Sequence, residues 1–258
     1  MLSLILLRKT DFFTVHDGLF YQYKSLKSFK QYLFYLIEIL TYFKCVHLTF
    51  ISKFSKKKSL FIHNKPFSII PNTSHLEVFM NSLKGSKNIE LPFKDYVLVV
   101  KNFDERSNHE LLVEAAKKSN YNFVFVGSGQ LFDKIRIQTK NQNNIFLTGY
   151  LSDIEICKLY ENAKFTINCA LYGEGFGLPI IESYLFNKLC LASNICAIPE
   201  VIISTDHLFQ NSLDDLIKVL SLIPKKSDSK DYFNYYKNNF SNLAVVTKYK
   251  TLYSSYSI

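Results

Sequence analysis

An α/β fold is expected, built on a parallel sheet with helical crossovers. Two observations carry this. From residue 96 onward, short apolar runs alternate with helical patterns, which is how strand–helix–strand units read in sequence. The chain also has 258 residues, 48 % of them hydrophobic, enough for one large or two modest domains with a core.

In order, residues 1–13 open with an apolar run that reads as a strand, followed by Thr14-Val15-His16-Asp17-Gly18. Leu2 to Leu7 is too short for a signal peptide, and Arg8-Lys9 lie on its wrong side. Residues 27–43 read as a helix. Within it, 32–43 is intensely apolar but only about a dozen residues long and broken by Glu38, against the ~20 needed to span a bilayer. A buried helix is the first reading of this stretch and an interfacial one the second. Strands are expected at 46–51 and 67–70, the latter ending in Pro71-Asn72. Residues 81–94, with Gly85 and Pro92, read as a linker.

Beyond the linker, strands are expected at 96–100, 122–126, 145–148, 163–169 and 189–193. Helices are expected at 108–119, 131–139, 152–162, 180–186, 213–222, 231–240 and 242–256. Ser152 with Glu155 forms a capping box, and Ser212 is a second cap. Gly127-Ser128-Gly129 and Gly149-Tyr150 end two of the strands.

Composition narrows the classes. The five cysteines show no C-x-x-C and no metal-ligand spacing, which argues against a zinc site or a disulfide framework. Cys157, Cys169, Cys190 and Cys196 read as small core residues, in a reducing, cytoplasmic compartment. Net charge is +9, most of it attributable to a general richness in Lys alongside Asn, Phe, Tyr and Ile. The exception is the compact patch 53–58, Lys-Phe-Ser-Lys-Lys-Lys, which can attract an anionic membrane at roughly 1 kcal/mol per charge. Nucleic acid competes for that patch, but no nucleic-acid module surrounds it.

The stretch that organises the chain is Glu174-Gly175-Phe176-Gly177-Leu178-Pro179-Ile180-Ile181-Glu182. Pro179 suits a helix start, where its missing N–H would have had no partner. No Ser, Thr, Asp or Asn precedes it to cap the first turn, so the free N–H groups invite an anion. Gly175 and Gly177 let backbone approach that anion. The turn lies at the carboxyl end of a strand, where open α/β sheets bind ligands. Glu174 and Glu182 would look into one crevice at different parts of a ligand, and a sugar nucleotide suits them. The alternative is a glycine turn between strand and helix with two solvated glutamates.

This nine-residue stretch resembles the E-x7-E signature of the group 1 (family four) retaining glycosyltransferases. The resemblance runs from about residue 14 to the C-terminus and is strongest over 95–201. It implies a GT-B fold with two Rossmann-like lobes: a shortened acceptor-side lobe, 1–71, joined by the closing helix 242–258, and a complete donor-binding lobe, 72–241. The strand before Pro71-Asn72 resembles the interdomain hinge, and 52–60 the family's stretch after an acceptor-lobe strand. Glu174 would then contact the donor sugar and Glu182 the ribose, with the amides of Gly175, Phe176, Gly177 and Leu178 on the diphosphate. His16 matches the histidine that faces the sugar from the other lobe. Gly149 and Tyr150 would pass near the nucleotide.

The resemblance also carries departures. Cys169-Ala170-Leu171-Tyr172-Gly173 replaces the common Pro-Ser before the first glutamate. The family's diphosphate Arg falls on Lys101 and its Lys on Ser107, preceded by Arg106, which either fills the role or is a surface charge. Only about 70 residues precede the hinge, so the first lobe is minimal, completed by a second chain, or part of a decayed fragment. The expected activity is metal-independent transfer of a hexose, with retention, from a UDP-, GDP- or similar nucleotide sugar, with no other cofactor. The acceptor would be a glycan or lipid-linked glycan, in polysaccharide biosynthesis on a cytoplasmic membrane face. The alternative is a non-catalytic or partner-dependent nucleotide-sugar-binding fragment that needs a completing protein chain.

Overall fold

The computed structural model describes residues 12–16, 29–59, 65–83, 89–223 and 231–256. The chain divides into two compact units. One comprises Met1–Asn72 with Thr247–Ile258, the other Thr73–Val246.

The first unit holds a parallel sheet of three strands in the order β1 (Phe12–Val15), β2 (His47–Phe50), β3 (Phe67–Ile69). β2 is central and buried throughout. Thr14 and Thr49 hydrogen-bond across the β1–β2 register at 2.6 Å. Helix α1 (Phe29–Lys44) connects β1 to β2, and its Tyr42 packs edge-on against Phe13. Helix α2 (Lys53–Lys58) carries the basic patch. It starts on a capping box in which Ser52 and Ser55 each accept the other's backbone N–H. Lys56 of that patch sits 3.5 Å over the Phe67 ring. The carboxyl-terminal helix α10 (Asn242–Ser254) ends in this unit, where Phe12 meets the rings of Tyr253 and Tyr256 edge-on.

Residues 1–11, the opening part of the expected first strand, lie outside the described residues, as do Asp17 and Gly18. The expected linker 81–94 differs in part: its first residues finish a 3₁₀ segment, His75–Ser82, capped by Ser74.

The second unit is a six-stranded, wholly parallel sheet. Its strands are β4 (Val97–Val100), β5 (Phe123–Val126), β6 (Ile145–Gly149), β7 (Phe165–Asn168), β8 (Cys190–Ser193) and β9 (Leu208–Phe209). They lie in the order β6-β5-β4-β7-β8-β9. β5, β7 and β8 are buried along their whole length, as parallel strands covered by helices must be. The crossovers are α3 (His109–Lys118), α4 (Phe132–Thr139), α5 (Asp153–Asn162) and α6 (Leu178–Leu185). Short α7 (Ile198–Val201), then α8 (Leu213–Leu222) and α9 (Tyr232–Asn239), complete the unit. The α5 capping box and the Ser212 cap both form. No described helix is long and apolar enough to cross a membrane.

The strand order places the site. From β4 the chain runs outward through β5 and β6, then returns to β7 on the other flank of β4. The direction of winding reverses between β4 and β7, and a crevice opens beyond their carboxyl ends.

Candidate functional site

Lys101 follows β4 and Asn168 ends β7, so the two stand at that reversal. Lys101 Nζ donates to Asn168 Oδ1 at 2.9 Å and to Glu174 Oε2 at 2.5 Å. The lysine and glutamate side chains are only 15 % and 20 % exposed. Glu174 is therefore neither solvated nor free. It is the counter-ion of Lys101, at the end of β4.

The loop carrying Glu174 is anchored by polar contacts that the sequence gives no hint of. The Ala170 N–H donates to Ser193 Oγ at 3.0 Å, and Asn211 donates to the Ala170 carbonyl at 2.8 Å. The Leu171 N–H donates to the Arg106 carbonyl at 2.7 Å, tying this loop to the one after β4. Gly177 then starts α6 at φ +99°, a conformation that penalises any side chain. A Cβ there would also stand 2.9 Å from Ile180 Cδ1. No side chain caps α6, and Pro179 occupies its first turn. Thr166 and Ser183 share a buried 2.6 Å hydrogen bond that pins the helix to β7. The first N–H groups of α6 thus face the loop with no side-chain acceptor.

Asn168 adds to this. Its residue is 1 % exposed, and its Nδ2 has no hydrogen-bond partner. That nitrogen lies 3.5 Å from where a Cβ on Gly177 would stand, so it sits at the start of α6. The amide orientation is fixed: turned over, it would set N–H against the Lys101 ammonium.

Arg106 lies in the 3₁₀ turn Glu105–Ser107, capped by Asp104. Its Nη2 and Nε reach Asp104 Oδ2 at 3.0 and 3.3 Å, and its side chain stays 48 % exposed. The hydrogen bond to Asp104 raises the guanidinium pKa, and the Glu174 charge adds to it. Burial pushes the Asp104 carboxyl up, but hydrogen bonds from Arg106 and Ser107 outweigh it and hold the carboxyl below its usual range. Arg106 Cδ is 3.6 Å from a Cβ built on Gly173, so the arginine flanks the Glu174 loop. Ser107 is different from a vacant cation place. It is 2 % exposed, and its hydroxyl donates to Asp104 Oδ1 at 2.9 Å. The serine is thus buried and engaged by its own turn rather than open to solvent.

Glu182 departs from the expectation of a shared crevice. It is 6 % exposed, and its Oε2 accepts from the Tyr160 hydroxyl of α5 at 2.9 Å. Burial raises its pKa, against the lowering effect of the Tyr160 hydrogen bond. Phe176 turns inward onto Phe240 and is 4 % exposed, so it offers the loop only its backbone. Gly175 and Gly177 are buried, and Leu178 is 37 % exposed. The Gly149 carbonyl accepts from the Gly127 N–H at 3.0 Å, and Tyr150 is 82 % exposed. A Cβ on Gly127 would fall onto the Lys101 carbonyl, so this glycine lets the β5 loop pack behind Lys101. His16 directly follows β1 in the first unit and is exposed.

Sequence reasoning missed Asn168, Asp104, Tyr160 and His109. His109 opens α3 fully buried, stacked at 4.0 Å and 12° on Phe103. Neither of its ring nitrogens has a partner. Burial, with the Lys101 charge, pushes its pKa down to about 4. One signal was available for Asn168: it is a polar residue at the carboxyl end of a buried strand, where open α/β sheets bind ligands.

Comparison with known proteins fits this geometry. The sequence model of the family described as "Glycosyl transferases group 1" matches residues 84–240, more than half of the chain. The chain is 27 % identical over 139 residues to the serotype-specific mannosyltransferase WbdA of Escherichia coli, covering 54 % of this chain and 16 % of that protein. It is 23 % identical over 174 residues to an uncharacterized 41.2 kDa protein in the cps region of Klebsiella pneumoniae, covering 62 % and 46 %. The match thus spans less than half the length of either curated relative. Among solved structures, sucrose-phosphate synthase from Thermosynechococcus elongatus superposes with TM-score 0.74 at 16 % identity, over 95 % of this chain and 67 % of that one. Anabaena Alr3699/HepE in complex with UDP superposes with TM-score 0.73 at 13 % identity, over 98 % and 74 %. At such identities the likeness is one of fold, and the fold is GT-B.

Proposed function

The chain belongs to the group 1 glycosyl transferases, and on that basis we propose that it moves a hexose from a nucleotide-diphosphate sugar to a glycan or lipid-linked glycan, with retention. The observation that carries this reading is the cluster of Lys101, Asn168 and Glu174 at the reversal of the sheet, beside the uncapped start of α6. In the reaction the bond between the sugar's anomeric carbon and the diphosphate breaks, and the acceptor oxygen bonds to that carbon on the same face. The acceptor proton leaves with the nucleoside diphosphate. The charge that develops on the departing diphosphate needs fixed donors. The amides of 175–178 and the cations Lys101 and Arg106 supply them without a metal ion. Glu174 takes the sugar hydroxyls and Glu182 the ribose, for which the carboxylate would turn from Tyr160. Gly149 and Tyr150 border the nucleotide. His16 keeps its catalytic candidacy from the sequence resemblance alone. UDP in the HepE complex favours a uridine donor for the first trial.

The acceptor side has one supporting observation. Along α1, Leu33, Leu36, Leu40 and Phe43 recur at helical spacing and are 48 %, 38 %, 53 % and 70 % exposed. Such a stripe favours a first unit that meets a membrane or a further protein chain, in keeping with a lipid-linked acceptor and a cytoplasmic, peripheral location.

The test is to incubate the purified chain with UDP- and GDP-hexoses and follow nucleoside diphosphate release, with the product's anomeric configuration read from proton NMR couplings. Release that Lys101→Gln abolishes, with a product of the donor's configuration, is the expected result. An inverted product would refute retention, and no release from any donor would refute the enzyme reading in favour of a binding fragment.

A further inference from the structure

Lys101 is not waiting for a ligand. Its ammonium already carries the Glu174 carboxylate at 2.5 Å and the Asn168 carbonyl at 2.9 Å, in a site that water reaches poorly. An ammonium has three N–H donors, and two are spent on this chain's own oxygens. Two anions in contact with one cation in a low-dielectric crevice repel each other strongly. A diphosphate can therefore take Lys101 only as Glu174 gives it up.

We propose that Glu174 is an internal counter-anion that holds the place of the donor's diphosphate on Lys101, so that diphosphate binding displaces it and releases its carboxylate to the donor sugar. This rests on the donor reading above and deepens it. It gives the site a logic of order. The carboxylate that grips the sugar becomes available only when a diphosphate has replaced it, so a free hexose or a nucleoside without phosphates finds Glu174 already engaged. Selectivity for the intact diphosphate sugar then comes from an exchange of partners on one lysine.

Asn168 completes the exchange. Its carbonyl stays on Lys101 through the displacement and keeps the ammonium aimed between the ends of β4 and β7. Its Nδ2, buried and without a partner at the start of α6, has no acceptor while Glu174 is on Lys101. Buried unpaired amides are rare and costly, and the arriving phosphate would bring the missing oxygen. Arg106 carries its own counter-anion, Asp104, but at 48 % exposure that pair is more readily exchanged with solvent than the Lys101–Glu174 pair.

Calorimetric titration of UDP and of GDP separates the possibilities. Glu174→Gln keeps the shape of the side chain and one acceptor oxygen but removes the competing charge. It should bind the preferred nucleoside diphosphate about tenfold more tightly than wild type, the size of one charged hydrogen bond. Lys101→Gln should weaken binding, and the double variant should bind no better than Lys101→Gln alone, because the gain acts through the lysine. Glu174→Ser gives the same expectation should the glutamine variant fold poorly. Unchanged or weaker binding by both Glu174 variants, with Lys101→Gln still impaired, would overturn the counter-anion. Lys101→Gln binding like wild type would instead overturn the donor reading itself.

Discussion

Acid sensitivity of the second unit should trace in large part to the buried imidazole of His109. His109 is stacked on Phe103, and neither ring nitrogen has a hydrogen-bond partner. Protonation would place a charge in that apolar stack beside Lys101, so the folded protein holds the ring neutral down to about 4, against 6.5 for an unhindered histidine. The sign follows directly. Because the folded value is the lower one, stability is fully present above pH 6.5 and is lost as pH falls toward 4, where only the unfolded chain takes up the proton readily. At ~1.4 kcal/mol per tenfold in proton affinity, the loss totals about 3 kcal/mol, most of it spent by pH 4.5. His109→Phe keeps a flat ring in the stack and removes the titration. Urea unfolding of wild type and variant, at a series of pH values from 7.5 to about 4.5, should give stability curves that diverge by about 2.5 kcal/mol in favour of the variant. Carboxylates titrate in both proteins and cancel in the difference. Parallel curves would mean that His109 takes up its proton in the folded state without penalty, and the buried stack would be wrong.

Two further substitutions test the surrounding shell. Ser107→Lys, which restores the family's cation by position, should gain no affinity for UDP and should lose more than about 2 kcal/mol of stability, since the serine is buried and bonded to Asp104. A stable variant with tighter UDP binding would show that the 105–107 turn opens. Tyr160→Phe strips the buried Glu182 carboxylate of its donor and should cost on the order of 1–3 kcal/mol in urea unfolding at pH 7. An unchanged midpoint would place that carboxylate in solvent rather than under α6.

Much of the architecture was legible because local signals agreed. From β2 onward, the expected strands and helices fall within two residues of those observed, since apolar runs, caps and glycine turns all punctuate the same boundaries. The short pieces escaped: α2, α7 and β9, at six, four and two residues, hold too little sequence to show any period. At the site, the turn at Gly177 was read from backbone chemistry, whereas Lys101 came only from the family resemblance. What spacing could not tell was pairing. That Glu174 lies on Lys101 while Glu182 lies on Tyr160 depends on which side chains the crossing of α5, α6 and β7 brings within reach. Ser107 failed for a related reason: its position matches a family cation, but its environment is set by Asp104 three residues earlier, whose cap draws the hydroxyl inward.

The first unit is assembled from two stretches far apart in sequence, and that shapes the order in which its contacts can form. His47, on the central strand of its sheet, takes a hydrogen bond of 2.8 Å with the Tyr256 hydroxyl, a partner 209 residues further along. A ribosome emits residues at about 5–20 per second, so His47 and the Phe12 ring spend on the order of ten seconds or more before Tyr253 and Tyr256 exist to cover them. The unit from Thr73 to Val246, by contrast, is one uninterrupted stretch and can close as it emerges. The sheet around His47 thus waits for a partner made long after it, and stays open to chaperones, to aggregation or to an early partner throughout that interval.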